Sequence, residues 1–190
     1  MSIQHISRTG KTYFLTIVPG KTGKPKYHFS TRPGGTQADS LPKGFEIYEN
    51  VNGQVFLRRK TPRLITDTEL ELVKAALKRH AEEWRYKVEV KMNALIVHEA
   101  SDNTAVLERI ALPWLNKSDI AHSVIQSANY TAVLKFILVD DGKRLFLAER
   151  FCFRGSVNDW IGIGAGPQTL RAVIGKFIKH LGQETFFELF

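Results

Sequence analysis

The chain has 190 residues, 43% of them hydrophobic and 24% charged, with a formal net charge of +8 and a single cysteine. This composition is that of an ordinary globular protein, which excludes a globally disordered chain and an internal disulfide. No run approaches the ~20 apolar residues that span a bilayer, and residues 1–11 lack a secretory signal, so we expect a soluble, cytoplasmic protein that does not enter a membrane.

The first third of the chain is predicted to be rich in β-hairpins. Aromatic and branched residues alternate at strand period over residues 13–18 and 26–31, with a turn of Pro, Gly and Lys between them. A second predicted hairpin pairs residues 45–49 with 55–59 around Asn52-Gly53, a dipeptide that tolerates positive φ. We expect residues 1–64 to form a basic β-rich module.

The clearest local pattern predicts a helix over residues 67–83. Thr66 and Glu69 have the spacing of a capping box, in which each residue satisfies a free backbone amide of the other. The apolar residues that follow, such as Val73 and Leu77, recur on one helical face. This helix is predicted to be amphipathic and to open a second domain over residues 65–190.

The remaining elements are predicted from alternation and helical spacing. Strands are expected at residues 86–92, 130–139, 144–154 and 160–163, two short helices within 103–128, and an amphipathic helix from Pro167 to Gly182. The strands are joined by hairpins and do not alternate with helices. The predicted fold is therefore α+β, with a mainly antiparallel sheet and two main amphipathic helices.

The positive charge is concentrated in the predicted N-terminal module. Residues 1–64 contain 11 Lys or Arg and 3 Asp or Glu (net +8), residues 65–100 contain 6 and 7 (net −1), and residues 101–190 contain 10 and 9 (net +1). Clustered cations raise affinity for polyanions. The candidate binding residues are Lys21, Lys24, Lys26, Arg32, Arg58, Arg59, Lys60 and Arg63.

These cations favour a non-catalytic protein that binds DNA or RNA, with phosphate contacts from the basic hairpins. Tyr13, Phe14, Tyr27 and Phe29 lie among the cations and could stack on bases. Two other interpretations stay open: the aromatic residues form the core of the module while the lysines keep it soluble, or the acidic partner is not a nucleic acid.

The motifs that would indicate an enzyme are weak. Glu89 and Lys91 share a strand face in the E-x-K pattern of metal-dependent nucleases, but alternation on any strand produces the same triplet. The glycine-rich residues 162–167 could expose an anion-binding helix N-terminus, although a flexible loop is the stronger interpretation. Cys152 is expected to be a buried apolar residue. We predict no catalytic residue, metal ligand or cofactor.

The C-terminal segment forms a further apolar cluster, with Phe186, Phe187, Leu189 and Phe190. Large apolar side chains are costly to leave in water, at ~1.5–3 kcal/mol each. We expect the segment to pack on its own chain. The alternative is a homodimeric interaction module without nucleic-acid binding, in which this segment contacts a second copy.

Overall fold

A computed structural model describes residues 2–21, 23–81, 84–101, 128–154 and 157–189. For residues 153, 154 and 157 it describes the backbone alone. The described residues form two compact units. We call residues 2–61 the N-terminal unit, and residues 62–101 with 128–189 the C-terminal unit. The predicted domain division at residues 64 and 65 stays a prediction, because it concerns independent folding. The two helices predicted within 103–128 lie outside the described residues.

The fold is α+β, as predicted, with mainly antiparallel sheets and two short α-helices in the described residues. The N-terminal unit contains β1 (Gln4–Ile6), β2 (Thr12–Pro19), β3 (Pro25–Ser30), β4 (Thr36–Gln37), β5 (Phe45–Glu49) and β6 (Val55–Arg59). The C-terminal unit contains α1 (Asp67–His80), β7 (Tyr86–Lys91), β8 (Ala94–Ala100), β9 (Tyr130–Asp140), β10 (Leu145–Arg154), β11 (Val157–Thr169) and α2 (Leu170–Phe177), followed by 3-10 helices at Ile178–His180 and Glu184–Glu188.

Two small sheets build the N-terminal unit. Strand β2 pairs with β3 along one edge and with β1 and β4 along the other, while β5 and β6 form a separate hairpin. The two predicted hairpins are therefore present at the predicted places. Leu15 is fully buried, and the His5 side chain bonds to Glu49 at 2.8 Å, which joins β1 to the second hairpin.

The C-terminal unit is a five-stranded antiparallel sheet in the order β11-β10-β9-β8-β7. Both α-helices contribute to the core that covers one of its faces. The most deeply buried members of this core are Val73 of α1, Leu95 and Val97 of β8, Leu134 and Phe136 of β9, Phe146 of β10, and Val173 and Phe177 of α2.

The capping box at the start of α1 is confirmed. The Glu69 backbone N–H donates to Thr66 Oγ1 at 3.2 Å, and the Thr66 N–H donates to Glu69 Oε2 at 2.9 Å. The helix ends at His80 and not at residue 83 as predicted, because the backbone becomes extended at Ala81. His80 Nε2 also donates to the Leu181 carbonyl at 3.0 Å, which holds the end of the helix.

The prediction for residues 160–182 is wrong in two respects. The glycine-rich residues 162–167 belong to strand β11 and are not a loop, and helix α2 begins at Leu170 and not at Pro167. The register passes from Ala148↔Ile163 to Phe146↔Gln168, so residues 164–167 bulge out of the ladder. Gly164 has φ +91°, and a Cβ there would lie 2.8 Å from the Phe177 ring. An edge strand with such a bulge accommodates proline.

The C-terminal segment packs within its own chain through Phe186 and the partly buried Leu189. Phe186 is 3% exposed and belongs to the core, as predicted, whereas Phe187 is 65% exposed. The homodimer hypothesis stays a prediction. Among the described residues, no helix has both the length and the apolar character needed to cross a membrane.

Candidate functional site

The eight predicted basic residues are divided between the two units. Seven lie in the N-terminal unit: Lys21, Lys24, Lys26, Arg32, Arg58, Arg59 and Lys60. Arg63 lies in the C-terminal unit, where its Nη1 atom is 2.8 Å from Asp67 Oδ1 at the start of α1. Arg63 therefore has a structural partner within the C-terminal unit.

The turn between β2 and β3 presents a first group of cations. The Gly20 N–H donates to the Lys24 carbonyl at 3.0 Å. A Cβ on Gly20 would lie 2.3 Å from that carbonyl oxygen, so this tight turn requires glycine. Lys21, Lys24 and Lys26 are exposed around the turn, and none forms an ion pair with another described residue. The sequence thus folds into a hairpin whose tip carries available positive charge.

A second group lies on the β5–β6 hairpin and combines charge with aromatic rings. Glu46 pairs with Arg58 and Tyr48 with Phe56 across the strands, so all four side chains share one face. Arg58 Nε is 2.8 Å from Glu46 Oε1, and its Cζ lies 4.0 Å from the centroid of the Tyr48 ring. The Tyr48 and Phe56 rings are stacked at 6.4 Å, and Phe56 is 46% exposed. We call these residues the Arg58 stack.

The aromatic residues predicted from the sequence to stack on bases, which include Tyr27 and Phe29, are different ones. Leu15 pairs with Phe29 and Ile17 with Tyr27, so both rings are on the face of the fully buried Leu15. They are partly buried, as expected for residues that build a small core. The exposed Phe56 and its half-buried partner Tyr48 were missed, although the Asn-Gly turn sets the register that pairs them.

Carboxylates in the N-terminal unit are already engaged near the basic groups. Glu46 pairs with Arg58, while Glu49 accepts from the His5 ring at 2.8 Å and from the Arg8 N–H at 2.7 Å. Strands β3 and β6 are in contact, which brings the two hairpins together. Glu46 and Glu49 therefore have partners within the N-terminal unit, and exposed cations are still present on both hairpins.

The E-x-K pair lies on the face of the C-terminal sheet opposite the core. Glu89 is 8% exposed, and its Oε2 atom is 3.3 Å from Lys91 Nζ and accepts from His98 Nε2 at 3.1 Å. Burial alone would raise the pKa of Glu89. The hydrogen bond from His98 and the charge of Lys91 outweigh burial and hold this pKa below its ordinary value of 4.5.

The partner His98 was not predicted from sequence, because it reaches Glu89 diagonally across the β7–β8 pair. Glu89 is also more buried than the alternation pattern suggested. Within the described residues, no three His, Cys, Asp or Glu side chains are grouped so that they could hold a metal ion. The nuclease hypothesis for Glu89 and Lys91 stays a prediction.

Comparisons with protein-family models, curated protein sequences and solved structures find no match for this chain. No residue role can therefore be transferred from a relative. The chemistry of the two sites described above is the basis for a functional proposal.

Proposed function

We propose that the N-terminal unit binds single-stranded DNA or RNA and catalyses no reaction. The observation that supports this function is a set of cations that have no ion-pair partner among the described residues. Lys21, Lys24, Lys26, Arg32, Arg59 and Lys60 form no ion pair with any other described residue. Phosphates that meet such cations release condensed counterions, which favours binding.

The Arg58 stack is the reason for proposing a single strand. An exposed aromatic ring can stack on an unpaired base, with little dependence on which base it is. Phe56 is the exposed end of the stack, while Glu46 and Tyr48 hold Arg58 in place. In a duplex the bases are already stacked on each other, so this surface would add less to the affinity.

Fluorescence anisotropy with a labelled 20-nucleotide single strand tests the role of the hairpin lysines. The triple variant Lys21→Glu, Lys24→Glu and Lys26→Glu should bind much more weakly, and the slope of log K against log salt should fall by about one for each phosphate that is no longer neutralised. A control that replaces the exposed cations Lys143, Arg171 and Lys179 of the C-terminal unit with Glu has the same change in net charge.

The control separates a local site from a general charge effect. Equal decreases in affinity in the two triple variants would show that net charge matters and the hairpin tip does not. Wild-type protein that fails to bind any nucleic acid at low salt would contradict the proposed function altogether.

A second variant tests the Arg58 stack. Phe56→Ala should weaken binding to the single strand by about 1–3 kcal/mol and change duplex binding much less, because a stacked base loses its ring partner. Phe187→Ala removes an exposed phenylalanine from the other unit and is the matched control. Equal weakening of single-strand and duplex binding by Phe56→Ala would argue against base stacking.

A further inference from the structure

A cleft of about 600 Å³ lies within the C-terminal unit, away from the basic hairpins in the sequence. Glu99 of β8, Thr131 of β9 and Cys152 of β10 are among the residues that line it, together with Phe186 and Phe187 of the last 3-10 helix. This volume is within the range of pockets that hold small organic molecules. The side chains of the lining therefore decide which ligand the cleft accepts.

One part of the lining is apolar. The Phe186 and Phe187 rings meet edge to face at 5.7 Å, with an interplanar angle of 76°. Phe186 is 3% exposed, which fixes one ring in the core, while Phe187 is 65% exposed. Cys152 is a free thiol in the lining and is 7% exposed, as the sequence predicted for a buried cysteine. These groups can contact the apolar body of a ligand.

Two polar side chains of the lining still have hydrogen-bonding capacity. Glu99 accepts through Oε1 alone, from the Tyr86 hydroxyl at 2.9 Å and from Arg85 Nε and Nη2 at 3.3 Å. Neither its Oε2 atom nor the exposed hydroxyl of Thr131 forms a hydrogen bond with another residue that the structure describes. Glu99 and Thr131 pair directly across β8 and β9, which places their Cβ atoms roughly 4.5–5.5 Å apart on one face. A carboxylate accepts and a hydroxyl can donate, so together they complement a ligand hydroxyl.

The charged groups near the cleft favour a neutral ligand. The Arg85 guanidinium balances Glu99 at 3.3 Å, and burial and the Glu99 charge raise the pKa of Tyr86, so its hydroxyl stays protonated. Arg150 also lines the cleft, but it is engaged within the protein by the bond from its Nε to the Leu189 carbonyl at 3.2 Å and by a further interaction. A ligand ammonium at Glu99 would be repelled by Arg85, and a ligand carboxylate would be repelled by Glu99 itself. Either ion would also lose hydration on entering the cleft.

We propose that this cleft binds a small neutral alcohol, whose hydroxyl donates to Glu99 Oε2 and accepts from Thr131 and whose apolar body packs against Phe186 and Phe187. The ligand class is an alcohol with an aromatic ring or a short branched chain. This site is independent of the nucleic-acid surface, since all the residues that form it belong to the C-terminal unit.

Cys152 offers a direct assay, because it is the single cysteine of the chain and lines the cleft. The rate of its alkylation by a small reagent is measured in the full-length protein with 3-phenylpropanol, the methyl ether of this alcohol, 3-phenylpropionate or 3-phenylpropylamine. These probes share one apolar body and differ in the head group. Isothermal titration calorimetry with the same probes provides a measurement that does not depend on thiol reactivity.

The alcohol should slow alkylation in a saturable manner and bind more tightly than the other three probes. The ether has no donor for Glu99 Oε2 and should bind at least about tenfold more weakly, because a hydrogen bond to a charged acceptor is lost. The carboxylate and the amine should also bind at least about tenfold more weakly, because each brings a charge. Equal binding of alcohol and ether, tighter binding of either ion, or binding of no probe by calorimetry would overturn the proposal.

Thr131→Val tests the second hydrogen bond, because valine has nearly the shape of threonine, lacks the hydroxyl and suits a strand. This variant should weaken 3-phenylpropanol binding by about threefold to tenfold, the loss expected for one neutral hydrogen bond. Thr131→Ser keeps a hydroxyl and should retain binding close to that of the wild type. Full binding by Thr131→Val, or equal weakening in both variants, would remove Thr131 from the site.

Phe187→Ala tests the apolar contact, and an exposed ring can be removed without opening the core. This variant should weaken 3-phenylpropanol binding by about tenfold or more, because the ligand has less apolar surface to pack against. Phe56→Ala in the other unit is the matched control and should leave binding unchanged. Unchanged binding by Phe187→Ala would contradict the proposed packing of the ligand.

Discussion

Charged side chains join elements of structure in the C-terminal unit, whereas on the hairpin tip of the N-terminal unit they face solvent. Arg144 bonds to Glu69 of α1 at 2.5 Å, and Lys135 of β9 bonds to Glu149 of β10 at 2.5 Å. Lys21 and Lys24 are exposed and have no ion-pair partner among the described residues. The difference indicates that Arg144 and Lys135 stabilise the fold of their unit, whereas the lysines of the hairpin tip are available to a partner.

The two units also differ in the size of their hydrophobic cores. The described residues of the N-terminal unit contain three buried hydrophobic side chains, Leu15, Ala38 and Val55. The C-terminal unit has a continuous core that includes Phe136, Phe146 and residues from both helices. A larger core supplies more hydrophobic stabilisation, so the C-terminal unit should dominate the stability of the chain.

The largest expected decrease in the free energy of unfolding is that of a substitution in the core of the C-terminal unit. Phe136 is 0% exposed on the central strand β9, and Phe136→Ala should lower the free energy of unfolding by about 3–5 kcal/mol through reduced burial and a new cavity. Val139→Ala, on the same strand but 46% exposed, should change it by less than about 0.5 kcal/mol. Urea unfolding followed by circular dichroism measures both variants, and similar changes would contradict the contrast between core and surface.

Buried charge in the C-terminal unit should make its stability sensitive to acid. Glu89→Gln removes the charge that Lys91 and His98 contact, and should cost about 1–3 kcal/mol at neutral pH. The pKa of Glu89 is lowered in the folded state, so its stabilisation is present above the ordinary value of 4.5 and is lost as the pH falls further. The difference between wild type and variant should therefore shrink below about pH 4.5.

Urea unfolding at a series of pH values tests this prediction. Glu71→Gln is the control, because the Glu71 side chain is 66% exposed in its pair with Lys74. Glu69 also has a pKa below its ordinary value: burial alone would raise it, but hydrogen bonds from Arg144 and Thr66 outweigh burial. Some acid sensitivity should therefore remain in Glu89→Gln, and a difference that grows with acidification would contradict the assigned sign.

Local patterns predicted those parts of the fold that depend on neighbouring residues. The capping box of Thr66 and Glu69 acts over three residues, and the start of α1 was predicted correctly. The Asn52-Gly53 turn likewise placed β5 and β6. In both cases the backbone conformation follows from hydrogen bonds or steric limits within a few residues.

Features that depend on distant contacts were not predicted. Residues 162–167 have the composition of a loop, but pairing with β10 makes them part of an edge strand with a bulge. The burial of Glu89 and its bond to His98 require the β7–β8 pairing. Composition and periodicity do not contain these registers, so the bulged edge strand and the Glu89–His98 contact could not be found from the sequence.

The smallest expected change in the free energy of unfolding is that of a triple substitution on the hairpin between β2 and β3. Its size shows whether the lysines of this hairpin stabilise the fold. Replacing Lys21, Lys24 and Lys26 with Glu should change the free energy of unfolding by less than about 0.5 kcal/mol, because exposed residues that have no ion-pair partner in the described part of the chain contribute little. The same variant is expected to lose most of its affinity for nucleic acid.

A decrease of more than about 1 kcal/mol in the free energy of unfolding, measured in urea, would show that these lysines stabilise the hairpin. Weakened binding could then follow from unfolding. Full stability combined with abolished binding would mean that the protein maintains these charges at the turn for a partner, in contrast to Arg144 and Lys135, whose charges are used within the C-terminal unit.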